Sequence, residues 1–367
     1  MKFTISREGL LQPLQLVSGA IERRHTLPIL SNVLIRVSEG QLWLTGTDLE
    51  VELISSVQLA GSFDEGRATV PAKKMLDIVR SLPEESIVIF EVSDNKAVLK
   101  AGRGKYTLST LSANDYPNLE DWDGEVEFEI QQTQLKGLID RTHFSMAQQD
   151  VRYYLNGMSL ETEENLIRTV ATDGHRLALA TLDYTTSPLP ARQVIIPRKG
   201  VLEIIRLIED NEEQVKVQIG SNHIRIFSKS FIFTSKLVDG RFPDYRRVLP
   251  KDSDKAVWSA RDVLKGALSR ALILTNEKFK GVRLNLESGS LKVTANNPEQ
   301  EEAEEVLDVD YQGDELEIGF NVAYLIDVFN VLQSENVIIN LSNANASALI
   351  HAEGDESALY VVMPMRL

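Results

Sequence analysis

The segment Val170-Ala-Thr-Asp-Gly-His-Arg-Leu-Ala178 sets an acid, a turn-forming glycine, an imidazole and a guanidinium side by side. Asp173, His175 and Arg176 could serve hydrolysis as acid, general base and anion clamp. That chemistry also needs a nucleophile or a metal against the base, and the sequence marks neither. The five histidines (His25, His143, His175, His223, His351) are scattered, with no pair at metal-ligand spacing. Gly102-Arg-Gly-Lys105 is too short to cradle a phosphate, which takes four residues between the first glycine and a Gly-Lys. With no cysteine, disulfides and thiolate metal sites are excluded, which suits a reducing compartment. A hydrolase using Asp173 and His175 stands as the alternative to a binding site that uses no cofactor and no metal.

The elements that must hold this segment recur along the chain. An apolar strand breaks into small and polar residues at Leu44-Thr-Gly-Thr-Asp-Leu-Glu50, again at residues 170–178, and at Lys292-Val-Thr-Ala-Asn-Asn-Pro298. Asp48, Asp173 and Asn296 lie 125 and 123 residues apart. A strand end that opens a helix recurs at Pro71, Pro197 and Asn321, at intervals of 126 and 124. A closing proline recurs at Pro117, Pro243 and Pro364, at intervals of 126 and 121. Three unrelated landmarks share one period, which implies three copies of one module: 1–125, 126–252 and 253–367.

Each copy opens with a short strand and a helix whose apolar residues fall on one face. These are Leu10, Leu11, Leu14, Val17, Ser18 and Ile21 in the first copy, and Leu135, Leu138 and Ile139 in the second. Val263, Leu264, Ala267, Leu268 and Ala271 form the stripe in the third. Alternating runs follow, such as residues 31–37 and 41–45, joined by the hairpin residues Ser38-Glu-Gly40. A longer strand comes next, at 51–59, 177–182 and 305–311. The order within a copy is strand, helix, three strands, twice over. This is an α+β chain of antiparallel sheets carrying helices on one face, built from six similar half-units. Units that curve steadily either close or leave edges for a partner copy.

The length of 367 residues, 43% hydrophobic and 25% charged, is that of ordinary soluble protein. No window approaches a membrane span, and the opening Met1 to Arg7 lacks a signal peptide's apolar core, so a cytoplasmic location is expected. A net charge of −15 opposes nucleic-acid binding at face value. Six expected helices (7–24, 71–81, 133–142, 197–209, 261–271, 321–333) nevertheless carry 14 basic and 8 acidic residues. Mildly basic helices on an otherwise acidic molecule would draw a polyanion to one face only. Residues 100–110 are basic with apolar Tyr106 and Leu108, whereas Pro298 to Glu305 holds five glutamates and Ile273-Leu274 ends a helix. Opposite charges at the two ends suit head-to-tail pairing.

Five segments carry a resemblance that covers the whole chain: Asp150 to Met158, Arg168 to Leu177, Phe233 to Val248, Asn276 to Arg283 and Tyr360 to Leu367. They resemble the bacterial sliding clamps, the beta subunits of DNA polymerase III. The resemblance implies a homodimeric ring of six similar domains of the DNA-clamp type, helices inside and sheet outside. Such a ring encloses duplex DNA without reading its sequence and has no activity of its own. The implied partners are the polymerase III catalytic subunit, an ATP-driven clamp loader, and other polymerases and repair or replication-control proteins bearing a clamp-binding peptide. The implied peptide pocket comprises Leu155, Thr172, Gly174, His175, Arg176, Leu177, Pro243, Arg247, Val248, Tyr324, Val361, Val362, Met363, Pro364, Met365 and Arg366. Implied DNA contacts are Arg24, Gln149, Tyr153, Tyr154, Arg198 and Lys199. The implied dimer contact sets Lys74, Arg103, Lys105, Tyr106 and Leu108 against Ile273, Leu274, Glu301, Glu302, Glu304 and Glu305. Lys105 and Tyr106 depart from the family's usual Arg and Phe, and residues 183–191 hold one extra residue.

Overall fold

A computed structural model describes residues 1–21, 27–93, 95–117, 122–251 and 253–366. Among these residues lie 24 strands and six α-helices, in one order repeated three times. The first module runs β1 (Lys2–Ser6), α1 (Arg7–Val17), β2 (Asn32–Ser38), β3 (Gln41–Thr47), β4 (Val51–Gln58), β5 (Gly66–Pro71), α2 (Ala72–Ser81), β6 (Ile87–Ser93), β7 (Lys96–Ala101), β8 (Gly104–Ser109). The second runs β9 (Val126–Gln131), α3 (Gln132–Asp140), β10 (Gly157–Glu163), β11 (Leu166–Thr172), β12 (Arg176–Asp183), β13 (Arg192–Pro197), α4 (Arg198–Leu207), β14 (Gln214–Ile219), β15 (His223–Phe227), β16 (Ile232–Lys236). The third runs β17 (Lys255–Ala260), α5 (Arg261–Leu272), β18 (Gly281–Glu287), β19 (Ser290–Asn296), β20 (Glu302–Asp308), β21 (Leu316–Asn321), α6 (Val322–Val331), β22 (Asn336–Leu341), β23 (Ala348–Ala352), β24 (Asp355–Val362).

All six helices start at the residue after a strand ends, so the strand's last residue takes the capping position. Ser6 caps α1 by accepting from the Gly9 amide at 3.1 Å, and Asn321 caps α6 by accepting from the Ala323 amide at 3.0 Å. Pro71 precedes α2, where its fixed φ suits the entry. The first helix ends at Val17 rather than at residue 24. There the Ser18 hydroxyl donates back to the Leu14 carbonyl at 2.6 Å, and a 3-10 turn follows. Val263 is 49% exposed, so the buried stripe of α5 is Leu264, Ala267, Leu268 and Ala271. The β2–β3 turn places Glu39 and Gly40 at φ 53° and 75°, the left-handed pair of a tight hairpin. The expected strand at 305–311 instead spans Glu302–Asp308. It pairs with β19 on one side and is an edge on the other, where glutamates stay solvated.

The chain condenses into two compact units, Met1–Thr133 with Leu202–Leu237, and Gln134–Val201 with Val238–Leu367. The first holds a four-stranded sheet, β1-β6-β7-β8, and an eight-stranded one, β5-β2-β3-β4-β16-β15-β14-β9. The second holds an eight-stranded sheet, β13-β10-β11-β12-β24-β23-β22-β17, and a four-stranded one, β20-β19-β18-β21. Both units therefore cut through the second module, because strand pairing fuses half of one module to half of the next. The junction pairs are antiparallel, Ile232↔Ile54 to Ser235↔Val51 in the first unit and Arg176↔Val362 to Ala180↔Ala358 in the second. In the first unit α1 packs on α2 and on β3 and β4; in the second, α5 packs on α6, β19 and β20. Among the described residues, no helix is long and apolar enough to cross a membrane.

Candidate functional site

Asp173, Gly174 and His175 form the hairpin turn between β11 and β12. Asp173 Oδ1 accepts from the amides of His175 at 2.9 Å and Arg176 at 3.0 Å, and Gly174 turns the chain at φ 90°. Asp48 does the same in the first module, accepting from the amides of Glu50 and Val51 at 2.9 and 2.8 Å, with Leu49 at φ 78°. The repeated aspartate is thus a turn-former whose side chain replaces a backbone partner. Asp173 Oδ2 is held by Arg176 Nε at 3.1 Å, which leaves the carboxylate directed at its own turn. The hydrolase reading finds no support.

Arg176 is enclosed. Its Nη1 bonds Asp327 on α6, its Nη2 donates to the Phe144 carbonyl at 2.8 Å, and its plane lies 5.3 Å from the Phe144 ring and 4.4 Å from the Tyr324 ring. Pairing and strand alternation explain this: Arg176 faces Val362 across the β12–β24 junction, and Val362, fully buried, belongs to the core that includes α5 and α6. The next pair, Leu177 and Val361, points to the opposite face. There it packs with Val170, Leu179, Ile195, Phe242 and Tyr245. The residues expected to line one pocket are therefore divided by the sheet. Arg176, Tyr324 and Val362 lie on its helix-bearing side, and Leu177 and Val361 on the other.

On that other face the structure builds a floor and a wall. Leu177 (3% exposed) and Val361 (1%) are apolar and buried there, and Leu155 (2%) is buried at the end of the Tyr153–Leu155 turn. The segment from Val238 to Leu249 crosses the sheet and buries Phe242 and Tyr245. It leaves Pro243 half-buried and Arg247 and Val248 exposed, with Arg247 Nε 2.8 Å from Asp244. The chain terminus meets the hairpin where the Met363 amide donates to the His175 carbonyl at 2.9 Å, and the Met365 amide is held by the Gly319 carbonyl. Met363 is exposed, Pro364 and Met365 are half-buried, and Arg366 and His175 are exposed. Thr172 braces the turn, donating to the Arg176 carbonyl at 2.6 Å and accepting from the Gly174 amide. An open cavity of about 790 Å³ is lined by Arg168, Leu179, Tyr245, Arg246, Leu249 and Leu359 among others, and it shares none of the expected pocket residues.

Of the expected DNA contacts, Arg24 lies outside the described residues. Gln149 is exposed at φ 57°, and Tyr153 and Tyr154 meet edge to face at 5.8 Å. The loop that carries them is closed by paired bonds between Asp150 and Asn156, and the Asn156 carbonyl accepts from the Arg198 amide at 2.9 Å. That bond joins the loop to the start of α4, where Arg198 and Lys199 are half-buried. Of the expected dimer contacts, Lys74, Arg103 and Lys105 are exposed, Tyr106 is half-buried and Leu108 is buried in its own sheet. Ile273 is 76% exposed and Leu274 is half-buried. The acids are partly matched within the chain: Glu305 by Arg270 at 2.7 and 2.8 Å, Glu304 by Lys292 at 2.8 Å, and Glu301 by Asn297. Glu302 is exposed.

Sequence reasoning missed Arg152, whose guanidinium clasps Asp150, donates to the Asp173 carbonyl at 3.1 Å and fills the space a side chain at Gly174 would need. Its hydrogen bonds hold the Asp150 carboxyl down to about 2. It also missed Glu161 and Arg168, opposite each other on β10 and β11 and buried or nearly so. In sequence Glu161 is one of several polar residues along β10, so nothing there marked it as buried. Among the described residues, no group of three or more His, Asp or Glu could hold a metal.

The chain matches three family models in order: the N-terminal domain of the DNA polymerase III beta subunit over residues 1–120, the central domain over 129–244, and the C-terminal domain over 246–366. It is 57% identical over 368 residues to a beta sliding clamp of Proteus mirabilis, covering 100% of both chains. A crystal structure of the Pseudomonas aeruginosa beta subunit superposes with a TM-score of 0.98 at 55% identity, again over 100% of each chain. Another clamp from that organism, bound to griselimycin, superposes at 0.97, with 55% identity and the same coverage. Full-length identity, domain order and fold agree: the chain belongs to the DNA polymerase III beta subunit family, the beta sliding clamps.

Proposed function

We propose that two copies of this chain close head to tail around duplex DNA and tether replication proteins to it, without catalysis. The observation that carries this reading is a pair of unmatched strand edges. The β4–β16 and β12–β24 junctions each join the third strand of one half-module's hairpin run to the last strand of another. By the same order β20 should meet β8, yet within the chain both are edges of four-stranded sheets. Joining β20 of one copy to β8 of another would make a third eight-stranded sheet, twice over, and pair both of these edges. Ile273, exposed beside β20, and the basic β7–β8 hairpin supply apolar and charged contacts for that joint. On this reading the modules are 1–125, 126–252 and 253–367.

Duplex DNA is held by being threaded, with Arg24, Gln149, Tyr153, Tyr154, Arg198 and Lys199 touching phosphates weakly and reading no bases. The floor of Leu155, Leu177 and Val361, walled by Pro243, Val248 and Met363, takes the apolar anchors of a short peptide from the polymerase III catalytic subunit, the clamp loader, or other polymerases and repair proteins. A flexible methionine at the rim suits several such peptides. The work is done in the cytoplasm, where the DNA is. The test is retention on DNA: protein loaded onto nicked circular duplex should stay bound through gel filtration and run off once the circle is linearised. Equal loss from circle and line would refute encirclement. For the pocket, a fluorescein-labelled hexapeptide with leucine and phenylalanine anchors should bind, and griselimycin should compete with it.

A further inference from the structure

Glu161 is a carboxylate 3% exposed, on β10 between β11 and β13. Its neighbours on those strands are Arg168 and Gln193. Oε1 accepts from Gln193 Nε2 at 2.7 Å, and Oε2 accepts from the Tyr245 hydroxyl at 2.8 Å and from Arg168 Nη1 at 3.4 Å. Arg168 also donates to the Tyr245 oxygen at 3.2 Å and to Thr181 at 3.1 Å. Arg246, next to Tyr245, bonds Glu163 at 3.0 Å and lies 3.4 Å from Glu161. A buried charge is costly, and apolar packing would often serve stability as well. What this carboxylate adds is direction: Oε1 is fixed by Gln193 within the sheet, and Oε2 is turned to the Tyr245 hydroxyl of a segment that lies outside it. Between Val238 and Leu249 the chain is not paired to any strand, and among the described residues Val238 makes that segment's one backbone hydrogen bond to a strand. The rest is held by the Phe242 and Tyr245 rings, by the Tyr245 hydroxyl, and nearer the surface by Arg246 on Glu163.

We infer that Glu161 and Tyr245 form a latch that sets the height of the Pro243–Val248 wall above the Leu177–Val361 floor, and are positioning residues for peptide capture. This rests on the pocket reading above. The Tyr245 ring shares one apolar cluster with Leu177 and Val361, so the hydroxyl anchors from behind the same packing that the peptide would meet in front. The latch reaches the pocket through the backbone of residues 243–248 and through the packing of the Tyr245 ring on the floor. Neither partner touches the peptide.

The test uses the full chain and the labelled leucine–phenylalanine hexapeptide. Tyr245→Phe keeps the ring and removes only the hydroxyl; it should weaken peptide binding about 5-fold, chiefly by faster release. Amide hydrogen exchange should quicken at residues 242–248 and not in the β18–β21 sheet. Retention on nicked circular DNA should be unchanged. Glu161→Gln should do the same, and the double variant should be no weaker than the worse single one, because the two act as a unit. Should Glu161→Gln fail to fold, Tyr245→Phe carries the test. Wild-type peptide affinity in Tyr245→Phe, with exchange quickened at the wall, overturns the latch and leaves the pocket standing. A wild-type chain that is retained on DNA but does not bind the hexapeptide overturns the pocket reading and the latch with it.

Discussion

Asp173 and Arg176 illustrate how a residue's type can suggest chemistry that its hydrogen bonds exclude. Asp173 uses one oxygen to close a turn and the other to hold Arg176. Asparagine at 173 keeps the oxygen that closes the turn and loses the charge and the second oxygen's bond from Arg176 Nε, whereas alanine loses the turn as well. Asp173→Asn should therefore cost well under half of what Asp173→Ala costs, with the latter about 1–2 kcal/mol in urea unfolding. Equal losses would show that the ion pair, not the turn, is what matters. Arg176 satisfies two carboxylates and a carbonyl while lying between two rings, a geometry that lysine's single ammonium cannot reproduce. Arg176→Lys should lower stability by about 2 kcal/mol, with peptide affinity falling because the His175 carbonyl that receives the terminus shifts. Tyr245 adds a pH dependence. Burial first, then the Glu161 charge, pushes its hydroxyl up to about 12 from the ordinary 10. The folded chain then keeps a proton that the unfolded chain has lost. Its contribution is full below pH 10 and fades as pH rises through 12. Tyr116 and Tyr360 are also pushed upward by burial, so the signal is the difference between wild type and Tyr245→Phe. The variant's melting temperature should fall less steeply above pH 10, and parallel curves would remove the shift.

At the scale of elements, much was legible because each repeated element needs particular chemistry at its ends. Asp48 and Asp173 recur because a hairpin turn wants a side-chain acceptor; where a strand runs straight into a helix, Asn321 supplies a capping side chain and Pro71 a fixed φ. What was not legible is which edges join. The pairing of β12 with β24 unites residues about 180 positions apart, and no local pattern names a strand's partner. For the same reason the pocket set mixed the two faces of one sheet: Arg176 and Leu177 are neighbours in sequence and opposites in space. The end of α1 escaped too, since the apolar stripe continues past Ser18 while the hydroxyl turns the backbone. The unmatched β20 edge gives the element-scale prediction. Ile273, 76% exposed, ends the helix that packs on β20. Ile273→Ala with Leu274→Ala should shift sedimentation toward the monomer by about tenfold in dissociation constant, while each chain keeps its fold by circular dichroism. An unchanged profile would place the joint elsewhere.

For the whole molecule the decisive number is a net charge of −15 on a DNA-binding chain. A protein that adheres to duplex through phosphate contacts loses affinity steeply with salt. Six to ten such contacts cost roughly a thousandfold to a hundred-thousandfold between 50 and 200 mM. Encirclement has a different dependence, because leaving a closed circle requires a subunit joint to open and not phosphates to be released. The half-life on nicked circular DNA should then fall less than about tenfold across that range, tracking dimer dissociation measured without DNA. On linear duplex, by contrast, release should be fast at every salt concentration and should lengthen when both ends are blocked by bound protein. Ile273→Ala with Leu274→Ala should shorten the lifetime on circles without changing the rate of run-off from lines, since only the first process opens the joint. If the lifetime on circles instead collapsed with salt by the factor expected of phosphate adhesion, an acidic chain would have to grip DNA through a few basic helices alone, and the closed ring would be the wrong architecture.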